Sequence, residues 1–198
     1  MKQLPYRTYD DYRSEQVRGN LAKLGRTWAR EANIRYIARE LIPAGARFGI
    51  CHGTRRGAEQ AWFRDALPGC EVIGTEISPS ASQFPHTVCW DFQDYSAQWE
   101  GRADFIYSNS HDHARDPAAC LRVWIGQLRP SGVLVLEHTS HHELLIHYNC
   151  WAVGLRELAR LLEAWSDGKR RVRVVSLPEK PSTKLKYIKA VVLGARGA

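Results

Sequence analysis

The chain has 198 residues, 44% hydrophobic and 25% charged, with a net charge of +7. That balance excludes disordered and collagen-like classes and suits one domain with one sizeable core. No apolar stretch approaches the roughly 18 residues of a membrane span, and residues 1–7 lack the apolar centre of a signal peptide, so a cytoplasmic protein is expected.

Two helices are expected first. Residues 10–24 are polar, with Val17, Leu21 and Leu24 in helical spacing, and residues 27–41 carry Ile34, Ile37 and Leu41 on one face. Pro43, Ala44 and Gly45 stop the second helix. Residues 1–45 thus read as a helical cap on a core spanning 46–198. The core alternates. Strands are expected over 46–51, from Glu71 to Gly74, and over 87–92, 103–108 and 132–138, with helices over 57–66, 116–128 and 153–165. Two strands, 171–177 and 185–193, close the chain across the loop 178–184.

Continuous apolar strands alternating with helices imply a parallel sheet covered on both faces. The last connection has no helix, and a parallel crossover needs a dozen or more residues, so the final strand should run antiparallel. The expected fold is α/β: a Rossmann-like, seven-stranded, mostly parallel sheet with helices on both faces and an antiparallel last strand. The five cysteines are scattered and read as reduced thiols, with Cys51, Cys70 and Cys89 in or beside apolar runs as small buried hydrophobes. The basic balance permits acidic partners such as nucleic acid, although no run is dense.

Ligands of open α/β sheets lie beyond the carboxyl ends of the strands. The first strand ends at Cys51-His52-Gly53-Thr54-Arg55-Arg56-Gly57, a glycine-bearing turn into a helix N-terminus. The second ends at Gly74-Thr75-Glu76, with Glu76 placed 19 residues after Gly57, where such folds bond ribose hydroxyls. The third ends at Trp90-Asp91-Phe92, an acid for an adenine amino group with an aromatic neighbour. The fourth leads into Tyr107-Ser108-Asn109-Ser110-His111-Asp112-His113-Ala114-Arg115-Asp116-Pro117.

The stretch from about residue 46 to 138 resembles the class I S-adenosylmethionine-dependent methyltransferases, especially their small-molecule "type 11" branch. The resemblance rests on His111-Asp112-His113-Ala114-Arg115-Asp116-Pro117 and on Leu128-Arg129-Pro130-Ser131-Gly132. It implies that S-adenosylmethionine is the cofactor. By position, His52, Gly53, Thr54 and Gly57 would form the cofactor loop, Glu76 and Ile77 the ribose side, Asp91 and Phe92 the adenine side, and Ser108 and Asn109 the methionine side. One departure stands out: the family has an acid and then Gly-x-Gly-x-Gly, whereas this chain has Gly49, Cys51, Gly53 and Arg55.

Methyl transfer needs an acceptor held in line and, for some acceptors, a base. His113 is the first base candidate, Asp112 could orient it or act itself, and His138 is second. The acceptor is expected to be a small molecule or saccharide methylated on oxygen or nitrogen. A nucleic-acid methyltransferase and a non-catalytic scaffold subunit of the same fold are the alternatives. The histidines 111, 113, 138, 141, 142 and 147 suggest a metal, but no His-Glu-x-x-His is present and the pair His138 and His142 falls in a loop, so no metal is expected and solvent-facing loop histidines are. Tyr6, Tyr9 and Tyr12 are lid candidates, with Tyr148 and Trp151 as an opposite wall.

Overall fold

The structure is a computed structural model that describes residues 1–4, 6–145, 149–179 and 185–195. His147 and Tyr148, named above, lie outside the described residues. Its main sheet has seven strands: β1 (Phe48–His52), β2 (Glu71–Glu76), β3 (Thr87–Cys89), β4 (Ala103–Ser108), β5 (Leu128–Thr139), β6 (Arg170–Ser176) and β7 (Ile188–Ala195). The order across the sheet is β3-β2-β1-β4-β5-β7-β6. The first five strands pair in parallel, and β7 runs antiparallel to both of its neighbours, as the short last connection requires.

Alternation along the strands divides the core in two. Ile50, Ile106, Leu134 and Leu136 face α4 (Pro117–Gln127) and α5 (Leu155–Trp165), meeting Leu121, Trp124, Leu158 and Leu162. Cys51, Phe105, Tyr107 and Val135 face the other way, against Ile34 and Ile37 of α2 (Glu31–Glu40) and Phe63 of α3 (Ala58–Ala66). Helices thus cover both faces, so strands buried on two sides read as unbroken apolar runs.

The two segments that carry the family resemblance are backbone devices. Asp116 caps α4, its carboxylate accepting from the Ala119 N–H at 3.0 Å, and Pro117 occupies the first helical turn, where its missing donor costs nothing. Arg129 pairs with buried Asp104, whose other oxygen accepts from the N–H groups of Arg47 and Phe48 at 2.7 and 2.9 Å, tying the entry of β1 to β4. Gly132 is required because a Cβ there would lie 2.5 Å from the Ala103 carbonyl. Gly49 has a similar cause: a Cβ would collide with the ring of Phe105, which occupies the space above β1.

Some expectations are corrected. The third strand is shorter than 87–92 because the chain turns after Cys89, and the fifth is longer than 132–138. Cys51 and Cys70 are buried, but Cys89 at the outer end of edge strand β3 is exposed. α1 (Tyr9–Ala22) does not bury the Val17, Leu21 and Leu24 stripe; Leu21 is 53% exposed, and the inward residues are Tyr12, Gln16, Gly19 and Asn20. The residues 2–3 pair with Trp151–Ala152 as a small antiparallel ribbon. Among the described residues no helix is long and apolar enough to cross a membrane.

Candidate active site

The ends of β1 and β2 and the turns after β3 and β4 open onto one cleft, roofed by α1. Gly53, Glu76, Ile77, Asp91, Phe92 and His113 all line it, so six residues singled out by strand-end position converge. Six more that reach it were not singled out: Gln16, Gly19, Asn20 and Lys23 from α1 and its C-terminal end, with Arg55 and Ser110 from the loops. A polar helix face turned inward was the available signal, since a face of Gln, Gly and Asn is buried only against other polar groups or a ligand.

Glu76 is buried, and its two oxygens accept from the Arg55 N–H at 3.1 Å and the Ser78 N–H at 2.9 Å. Burial raises its pKa, while the Ser78 N–H and the Arg55 guanidinium oppose the rise. The Asn20 side chain also hydrogen-bonds this carboxylate, and a carboxylate has about four acceptor sites, so capacity remains for one bond to a ligand. Gly53 sits at φ +75°, and a Cβ on it would lie 2.8 Å from Ser110 Cβ. Arg55, at the third glycine position of the family loop, itself takes a left-handed conformation at φ 46°. Gly57 is left-handed too, but it caps α3 over Gln60 and Thr87 and lies outside the cleft lining.

Asp91 anchors the roof: the Tyr9 hydroxyl donates to one of its oxygens at 2.9 Å, and the Gln93 N–H to the other at 3.1 Å. Tyr12 is fully buried beside Tyr6 and Tyr9. Of the three tyrosines, Tyr12 lines the cleft, while Tyr6 and Tyr9 pack behind it, and Trp151 is buried, its indole N–H donating to the His111 carbonyl at 2.7 Å, and presents no wall.

Other proposed residues stand outside the lining. His52 continues the alternation of β1 away from the cleft, stacked on Trp124 at 4.6 Å and hydrogen-bonded through its two nitrogens to Thr75 and Gln127 at 2.9 Å each. Burial pulls its pKa down to about 4, so the ring is neutral. Thr54 is buried, and its N–H donates to the Thr75 carbonyl. Ser108 donates to the His52 carbonyl at 3.0 Å, and Asn109 accepts from the Ser110 hydroxyl, so both brace the loop.

His113 is the candidate base that reaches the cleft. Gln16 donates its amide NH₂ to Cys150 Sγ and so turns its oxygen toward His113 Nδ1 at 2.8 Å. That makes Nδ1 the protonated nitrogen and leaves the Nε2 lone pair able to take a proton. Burial lowers the His113 pKa, with Asp112 opposing, which favours the neutral ring. Asp112 is buried, 4.0 Å from His113 Nε2 and 3.7 Å from His142 Nε2. His138 is buried behind it, and burial pulls its pKa to about 3. His111, His138 and His142 are buried rather than solvent-facing, which corrects that expectation; the turns after β4 and β5 fold inward over Trp151.

Across the sheet, Glu137 points the opposite way from His138 and is buried with Tyr107 and Asn33, which donate to it at 3.3 and 3.4 Å. Burial raises its pKa to about 7. The folded protein therefore holds a proton that the unfolded chain releases near pH 4.5. Stability from this group is fully present below pH 4.5 and lost as pH rises through about 7. At about 1.4 kcal/mol per pK unit the difference is worth roughly 3 kcal/mol. Glu137→Gln should melt higher than the parent at pH 8 and equally at pH 4; equal melting at both would remove Glu137 as the source.

No protein-family model matches the chain, and no curated protein matches it. Solved structures do. The Burkholderia thailandensis 1,6-didemethyltoxoflavin-N1-methyltransferase, solved with 1,6-didemethyltoxoflavin and S-adenosylhomocysteine, is 19% identical with a TM-score of 0.70 over 97% of this chain and 92% of its own. The N-methyltransferase NodS from Bradyrhizobium japonicum, in complex with S-adenosylhomocysteine, is 12% identical with a TM-score of 0.62 over 92% of this chain and 99% of its own. Geranyl diphosphate methyltransferase in complex with S-adenosylmethionine is 14% identical with a TM-score of 0.65 over 88% and 94%. At such identities the likeness is one of fold, and this chain has the class I S-adenosylmethionine-dependent methyltransferase fold.

Proposed function

We propose that the protein is an S-adenosylmethionine-dependent methyltransferase that methylates oxygen or nitrogen of a small molecule or saccharide. The observation that carries this reading is the cleft itself, in which Gly53, Glu76 and Asp91 meet at the strand ends. These residues suit the cofactor chemically. Glu76 keeps acceptor capacity for a ribose hydroxyl, Asp91 offers a carboxylate to the adenine amino group beside the ring of Phe92, and Gly53 leaves the backbone open to the methionine part. This cleft, walled by α1, favours a compact acceptor over a nucleic-acid duplex.

Bound there, the cofactor supplies an electrophilic methyl group on a sulfonium. The chain's own task is to hold the acceptor in line, exclude water beneath α1, and receive a proton on His113 Nε2 where the acceptor carries one. Gln16 fixes the tautomer for that step, and Asp112 stabilises the imidazolium that results.

A thermal melt with S-adenosylmethionine and S-adenosylhomocysteine tests the reading. At 100 times the Kd, binding adds about 2.7 kcal/mol, a shift of several degrees. An unmoved melting point at millimolar ligand would instead favour a non-catalytic scaffold with the same fold.

A further inference from the structure

Three buried histidines come together outside the cleft lining. His111 lies in the turn after β4, His138 near the end of β5, and His142 in the turn that follows β5. One ring nitrogen from each lies within 4.8 Å of the other two. His111 Nε2 and His138 Nδ1 are 3.1 Å apart, and the ring centroids of His142 are 4.6 and 5.0 Å from those of His111 and His138.

The group has hydrogen bonds of its own, between His111 Nε2 and His138 Nδ1 and from the Thr139 N–H to His142 Nδ1, yet it leaves polar atoms over. The second nitrogens, His111 Nδ1 and His138 Nε2, are buried without a hydrogen-bond partner among the described residues, and so is Asp112 Oδ1. Buried polar atoms without partners are costly, and three at one place in a fold are unusual.

We propose that His111, His138 and His142 bind a divalent ion of the zinc type, with the Asp112 carboxylate beside it as the compensating charge. Two nitrogens on one tetrahedral ion with bonds of about 2.0–2.1 Å lie about 3.3 Å apart, close to the separation of His111 and His138. Three imidazoles select zinc, cobalt, nickel or copper over magnesium and calcium, which prefer oxygen. Asp112 Oδ1 stands 3.7 Å from His142 Nε2, near enough to neutralise the ion and to orient that ring. His142 Nδ1 now accepts from the Thr139 N–H at 2.9 Å, which places the ring proton on Nε2. Coordination through Nε2 moves that proton to Nδ1 and gives up the Thr139 bond, a small loss against the coordination of an ion. The ion would pin the turns after β4 and β5 together, and His113 follows directly from one of them. This site does not depend on the methyltransferase reading.

The test uses the whole chain, stripped of metal with a chelator and titrated with zinc against a chromophoric competitor. One ion per chain is expected. Cobalt in its place should give the visible band of a tetrahedral site and quench Trp151, whose ring lies 5.9 Å from that of His111. His142→Gln and His138→Gln should each raise the Kd by about 100-fold or more, while the exposed His141→Gln leaves it unchanged. Should a buried variant fail to fold, the cobalt spectrum and the Trp151 quench of the unmodified chain decide alone. Absence of tight binding, an octahedral cobalt spectrum without quenching, or loss of binding in His141→Gln would each overturn the site.

Discussion

Replacing Glu76 with alanine is expected to raise the Kd for S-adenosylmethionine by about 10-fold or more and to shrink the ligand's thermal shift at concentrations that stabilise the parent. A hydrogen bond to a charged group contributes about 1.5–3 kcal/mol, and each 1.4 kcal/mol is tenfold in affinity, so losing one costs about tenfold or more. The substitution also strands the N–H groups of Arg55 and Ser78 in a buried place, so the unliganded variant should melt lower as well. Comparing ligand-induced shifts rather than absolute melting points separates the two effects. Glu76→Gln, which keeps one acceptor oxygen, should fall between. Isothermal titration giving an alanine-variant Kd within a few-fold of the parent would remove Glu76 from the ribose role.

Trp124→Ala should cost about 3–5 kcal/mol of stability, the range for deleting a fully buried large aromatic. Trp124 is wholly buried on α4, stacks on His52, meets the edge of Phe92 at 5.3 Å and donates its indole N–H to the Phe92 carbonyl at 2.8 Å. It therefore supports the adenine side of the cleft from below. Trp124→Phe keeps most of the ring and loses the donor, so a smaller cost of about 1–3 kcal/mol is expected from the stranded carbonyl. Urea unfolding with an unchanged m value is the measurement; a loss below about 1 kcal/mol for the alanine variant would mean the site collapses around the gap and the bracing role fails.

The sheet was legible because strands buried on both faces read as plain apolar runs, and the antiparallel ending because a loop without a helix cannot cross over. Asp116-Pro117 and the Leu128 to Gly132 stretch were legible because a cap, an ion pair and a missing Cβ are fixed by chain geometry. Gly53, Glu76, Asp91 and Phe92 were found for a related reason: parallel strands end on one side. His52 stood in the same run of residues, yet counting alternation from Ile50 sends it toward α4. The contribution of α1 was hidden because its inward face is polar, and an apolar stripe on the other side drew the reading instead. The histidine group was set aside because His138 and His142 lie on a strand end and turn with His111 on a separate stretch, whereas spacing rules for metal ligands examine one helix at a time.

The place of β7 has a consequence for how the molecule is made. The last strand in sequence lies inside the sheet, between β5 and β6. During synthesis β6 emerges before the partner that joins it to the rest, and the long apolar flank of β5 stays open until Ile188–Ala195 clear the ribosome. An open edge of that kind pairs readily with another chain, so nascent protein is exposed to misassembly until residues 188–195 have emerged, and a chain cut short before residue 188 forfeits two strands instead of one.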